Sequence, residues 1–122
     1  MRDERGSVSV LVASLAAVLV VLAIGVADVA RVLTAASRAQ SAADAAALAA
    51  AQELAFPEGT SAPAEVAAGY AARNGAELRR CACESGTFTA DVDVLVPAGP
   101  LFLGPDDLGV EASARAVVDL PA

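Results

Sequence analysis

The sequence has no histidine, no lysine and no tryptophan, and its 122 residues include only three phenylalanines and one tyrosine. Without histidine it lacks the usual general base and the commonest metal ligand, and without lysine it lacks the Schiff-base amine. No catalytic constellation can be named beyond a pair of cysteines. The expectation is therefore no enzyme, no cofactor, no metal and no small-molecule substrate. All eight basic residues are arginines, and the net charge is −7. From Asp28 onward, thirteen acids face six arginines, so no basic patch exists to neutralise phosphates and nucleic acid is excluded as a partner. The scarcity of aromatics limits the core as well. Although 57% of residues are hydrophobic, the apolar weight is Ala, Val and Leu, which predicts one small, thinly packed domain.

What the chain does have is an apolar run. Val8 to Ala27, VSVLVASLAAVLVVLAIGVA, is 20 residues without a charge, the length a helix needs to cross a bilayer core of roughly 30 Å. Its two polar side chains, Ser9 and Ser14, can bond back to carbonyls one turn earlier. Arg2, Arg5 and the terminal amine precede the run, while Arg31 and Arg38 follow it. The positive-inside rule favours a cytoplasmic N-terminus by a small margin. The acidic remainder and the cysteines fit an exported domain. This predicts a cytoplasmic segment 1–7, a transmembrane helix 8–27 and an extracytoplasmic domain 28–122, anchored in the cytoplasmic membrane. The rival reading is a secreted or tethered binding module with a cleavable signal, because Gly25-Val26-Ala27 would suit cleavage after Ala27. Against it, the run exceeds the usual h-region and continues into a helix-favouring sequence.

Asp28 to Leu54 contains neither Gly nor Pro and is nearly half alanine, the best helix former. A 4–3 spacing through Val29, Leu33, Ala36, Gln40, Ala43, Ala47, Ala50 and Leu54 reads as a heptad-spaced seam with one polar intruder. Such a small-residue seam packs closely, either on the protein's own sheet or on a helix of another subunit, and the second outcome is the one expected. Phe56-Pro57-Glu58-Gly59 ends the helix. A second helix, 62–74, follows, with Thr60 or Ser61 as cap, Pro63 in its first turn, Glu65 at the positive end of its dipole and Asn74-Gly75 as its stop. Tyr70 is read as packing, with its hydroxyl at the surface.

Beyond Ala76 the period falls to 2, which predicts three antiparallel strands within 77–119. ELRRCACE is the first, Ser85-Gly86 a hairpin turn, TFTADVDVLV the second and GVEASARAVVD the third. Phe88, Ala90, Val92, Val94 and Val96 should face inward, and so should Val110, Ala112, Ala114, Ala116 and Val118. Pro97 to Asp107 is a loop carrying an exposed Leu101-Phe102-Leu103. The fold class is thus α+β, with a long helix laid over a small sheet. Cys81 and Cys83 share a strand face. Outside the cytoplasm they could form a disulfide that kinks the strand, bridge two chains, or remain as half-buried thiols. Asp91 and Asp93 share the opposite kind of face, and Asp106-Asp107 lie in the loop. Solubilising surface explains both pairs more simply than a calcium site.

The segment RAQSAADAAALAAAQEL, placed after a span that follows a short charged stretch ending in glycine (RDERG–SVSVLV), resembles the TadE/TadG-like family. These are small pilin-like membrane proteins of tight-adherence pilus systems. The resemblance covers Asp3 to Leu54, and it implies a pilin-like fold and a pseudopilin-like minor subunit. The implied partners are the membrane and other pilin-like subunits or assembly-platform proteins. It also implies that a prepilin-type peptidase would cut between Gly6 and Ser7. The family usually has a glutamate five residues after that glycine, whereas this chain has Leu11. Leucine cannot neutralise the new terminal amine of a neighbouring subunit, so the departure puts the usual filament contact in doubt.

Overall fold

The computed structural model describes residues 4–56, 59 and 61–119, and it begins with one unbroken helix. This helix, α1, runs Glu4–Ala55 for 52 residues, about 78 Å at 1.5 Å per residue. Its halves differ in surroundings. Every residue from Gly6 to Ala23 is exposed, and this half is long and apolar enough to cross a membrane. From Ala35 onward one face is buried under the rest of the protein. Two hydroxyls of the helix bond back one turn, Ser14 Oγ donating to the Val10 carbonyl at 2.8 Å and Thr34 Oγ1 to the Ala30 carbonyl at 2.8 Å.

The buried face corrects the expected seam. Val29 and Leu33 are 58% and 64% exposed, Gln40 is exposed and Ala36 only half buried. The inward line instead passes through Val32, Ala35, Ala39, Ala42 and Ala46, rejoining the seam at Ala43, Ala47, Ala50 and Leu54. The reason is the pitch. A straight helix turns 100° per residue, so Leu33 and Gln40 stand roughly 80–100° from Ala50, while Val32 and Ala39 lie within roughly 20° of it. A strict 3.5-residue repeat stays on one face only in a supercoiled helix, whereas the buried positions here follow the 3.6-residue pitch. The buried seam belongs to the protein's own core and packs with α2, β2 and β3.

α2, Pro63–Arg73, has Ala62 as its cap, with no side-chain cap bond. Pro63 at N1 sets this start and removes one orphan N–H, so Ser61 is left outside. Thr60, like Pro57, Glu58 and Met1 to Asp3, lies outside the described residues. The helix ends as expected at Asn74-Gly75. Gly75 N–H bonds the Ala72 carbonyl at 3.0 Å and Ala76 N–H bonds Ala71 at 2.9 Å, while Gly75 takes a φ of +76°. That is a Schellman closure, which requires a left-handed residue.

Three strands form one antiparallel sheet in the order β1-β2-β3: Glu77–Ala82, Thr89–Pro97 and Gly109–Val117. β2 is central, and Ala90, Val92, Val94 and Val96 point into the core. Val92 and Val94 are the largest fully buried side chains among the described residues, so the core is nearly all alanine on the helix side and mixed valine and alanine on the sheet side. β3 alternates as expected, with its inner residues half buried. Phe88 departs from the expected pattern, because it precedes β2 and is 55% exposed. β1 departs too. Leu78 pairs with Val94 and Arg80 with Asp93, which leaves a bulge at Arg79. The extra residue turns both Arg79 and Arg80 outward while Leu78 and Cys81 face in. The strand stops at Ala82, two residues short of the expected end.

Candidate functional site

The segment between β2 and β3, residues 98–108, is closed at its base by Ala98 N–H donating to the Leu108 carbonyl at 2.8 Å. Gly99 sits at φ +84°, a conformation that glycine adopts without steric cost. Its tip lies against α1 at the point where the apolar run ends. Phe102 N–H donates to Asp28 Oδ1 at 2.9 Å, and Leu103 N–H donates to Oδ2 at 2.7 Å. Both carboxylate oxygens are therefore used on backbone donors that have no sheet partner, and Asp28 is only 9% exposed. One turn on, Arg31 donates to the Pro100 carbonyl, and its guanidinium lies 4.9 Å from the centre of the Phe102 ring. Two charged residues of one helix turn thus hold the loop across 69 to 75 positions of sequence. From sequence Asp28 reads only as a charge flanking the span. The available signal was an acid and an arginine three residues apart directly after the run, and nothing in the sequence ties them to the loop.

The outer face of the sheet carries a charge ladder. Arg80 Nε donates to Asp93 Oδ2 at 2.8 Å, Ser113 Oγ donates to Asp93 Oδ1 at 2.6 Å, and Arg115 Nε donates to Asp91 Oδ1 at 2.6 Å. The Ser113 hydroxyl, and then Arg80, hold the Asp93 carboxyl below its usual value. Arg80 and Arg115 are raised by their aspartates. These cross-strand pairs are solvated, so each adds little to stability. A depressed carboxyl favours the folded state above its unfolded pKa, and that contribution disappears as pH falls through the folded value. Unfolding followed by circular dichroism should show stability falling as pH drops below the ordinary aspartate value of 3.8. The decline should be shallower in Asp93→Asn; an identical slope would count against the pairing.

The structure joins Cys81 to Cys83 as a disulfide, with Cα atoms 5.3 Å apart. Two residues of extended strand span roughly 6.6 Å, so the chain contracts here, where β1 ends. Gly6 and Ser7 lie in the first turns of α1, both exposed. A Cβ at Gly6 would meet nothing within 4 Å, so packing gives no reason for glycine there. Of the expected seam, Ala43, Ala47, Ala50 and Leu54 join the core, while Leu33 stands apart from it. Among the described residues, no three or more Cys, Asp and Glu side chains are grouped to hold a metal ion.

Residues 6–53 match a family model described as "Putative Flp pilus-assembly TadE/G-like". The match covers α1 almost from end to end and stops before α2 and the sheet. No curated protein and no solved structure matches the chain.

Proposed function

We propose, from the match of residues 6–53 to the TadE/G-like pilus-assembly model, that this chain is a pseudopilin-like minor subunit. In this reading it has no enzymatic activity and serves assembly of a pilus or secretion apparatus. It spans the cytoplasmic membrane once through Val8–Ala27, with the N-terminus inside and the sheet domain outside. One observation carries the reading. A single helix is bare and apolar over its first half and forms the spine of a folded domain over its second. Such a helix couples a membrane anchor to an external domain without a hinge. The Cys81–Cys83 disulfide supports an oxidising location for that domain. The clamp that Asp28 and Arg31 form on the loop supports retention of the span over cleavage after Ala27. A cut there would make Asp28 the frayed first residue of a helix, yet Asp28 has to hold the Phe102 and Leu103 amides. Leu11 in place of the carboxylate favours a role beside a filament over one inside its packed core, with membrane-resident partners among the other pilin-like subunits or platform proteins.

Mass spectrometry of the membrane-extracted protein tests this. A mature N-terminus at Ser7, or at the start of the chain, together with crosslinks to other pilus components, is the expected result. A mature N-terminus at Asp28 with the domain free in the supernatant would overturn it in favour of a secreted binding module.

A further inference from the structure

The clamp described above has an orientation that the family match does not address. It holds Leu101-Phe102-Leu103 beside the last turn of the apolar run. Leu101 and Leu103 share an apolar groove with Gly25, Val29 and Leu33 of α1. Gly25 lies roughly 4.5 Å below Asp28 along the helix axis at 1.5 Å per residue, so the loop reaches past the charged boundary towards the span. Phe102 and Leu103 are nevertheless 64% and 69% exposed, and so are Val26 and Val29 at 69% and 58%. The Asp28 carboxylate satisfies the backbone N–H groups of both loop residues, which removes the cost of carrying those two donors into an apolar medium.

We propose that this loop is an interfacial foot. Phe102 and Leu103 insert into the boundary between lipid headgroups and acyl chains, fixing the depth and tilt of the long helix. Lipid is the occupant because the patch is continuous with the bare apolar helix from Gly6 to Ala23. Above the patch the helix surface turns polar, with Ser37, Arg38, Gln40, Ser41 and Asp44 exposed. Aromatic and cationic groups concentrate at this level of a bilayer. Arg31, stacked on the Phe102 ring one turn further from the span, is placed to meet headgroup phosphates while the ring sits beneath it. The foot makes the joint between span and domain stiff, because the helix is then held at two points and cannot swing about its exit from the membrane.

The inference rests on Val8–Ala27 crossing a membrane, and the experiment separates the two. The chain has no tryptophan, so single substitutions act as unique depth reporters in the full-length protein in phospholipid vesicles. Phe102→Trp should emit at shorter wavelength than Leu48→Trp and lose most of its emission to lipids brominated high on the acyl chain. Leu48→Trp, roughly 30 Å further along the helix, should be unaffected by brominated lipid. Val18→Trp should be quenched most by lipids brominated near the chain end. If Val18→Trp is quenched but Phe102→Trp stays open to aqueous iodide, the foot is overturned and the span stands. A blue-shifted Phe102→Trp that brominated lipid leaves unquenched would overturn it too, in favour of a protein covering the patch. If Val18→Trp is unquenched, both readings fall. Should Phe102→Trp fail to show the parent circular dichroism, Leu103→Trp replaces it, held by the same backbone bond to Asp28, with the same outcomes.

Discussion

The double variant Ala43→Leu, Ala47→Leu should leave α1 helical and yet strip the domain of much of its stability. Leucine is nearly as good a helix former as alanine, so the helix has no local reason to unravel. Ala43 and Ala47 are 0% and 1% exposed, however, within a core that also contains Ala67, Ala71, Val92 and Val94. Extra methyl groups there must push α1 off its neighbours or force side chains out of their rotamers, at about 1–3 kcal/mol per site. The two sites are one turn apart and share neighbours, so the total should be about 2–6 kcal/mol and not strictly additive. That is comparable with the whole stability of a small domain. Denaturant unfolding of the detergent-solubilised protein measures it. Ala36→Leu, at a half-buried position, should cost much less, and Leu33→Ala should be near neutral. Unchanged unfolding with loss of crosslinks to other subunits would instead make the seam an intersubunit contact.

Asp28→Ala should release the loop. It leaves the Phe102 and Leu103 N–H groups without their acceptor, and hydrogen bonds to a charged group contribute about 1.5–3 kcal/mol each. A loss on the order of 3 kcal/mol is expected, concentrated in residues 98–108. Hydrogen exchange should therefore accelerate at the Phe102 and Leu103 amides while β2 stays protected. Asp28→Asn keeps one acceptor oxygen and should lose about half as much. Fast exchange throughout the sheet would mean that Asp28 supports the whole domain; unchanged exchange at the two amides would contradict the clamp.

Much of this protein is legible without coordinates, because the signals are local. An uncharged run of bilayer length, an alanine tract without Gly or Pro and a period of 2 in TADVDVLV each depend on neighbours in sequence. They announce the span, α1 and β2 in turn. Asn74-Gly75 closes α2 because only a left-handed residue completes that turn, again a local requirement. What the sequence could not decide is where distant segments meet. The buried line departs from the heptad seam by about a quarter-turn near Leu33, because a 3.5-residue and a 3.6-residue repeat diverge slowly along a helix. Only the position of the sheet decides which of them is buried. The bulge at Arg79 alters which β1 side chains face inward, and it exists only in pairing with β2. Asp28 and the loop tip are 74 and 75 residues apart, and neither carries any mark of the other. Periodicity and composition determined the helix, the strands and the apolar span. Long-range hydrogen bonding and helix pitch decided which alanines form the core and that the loop is held at the end of the apolar run.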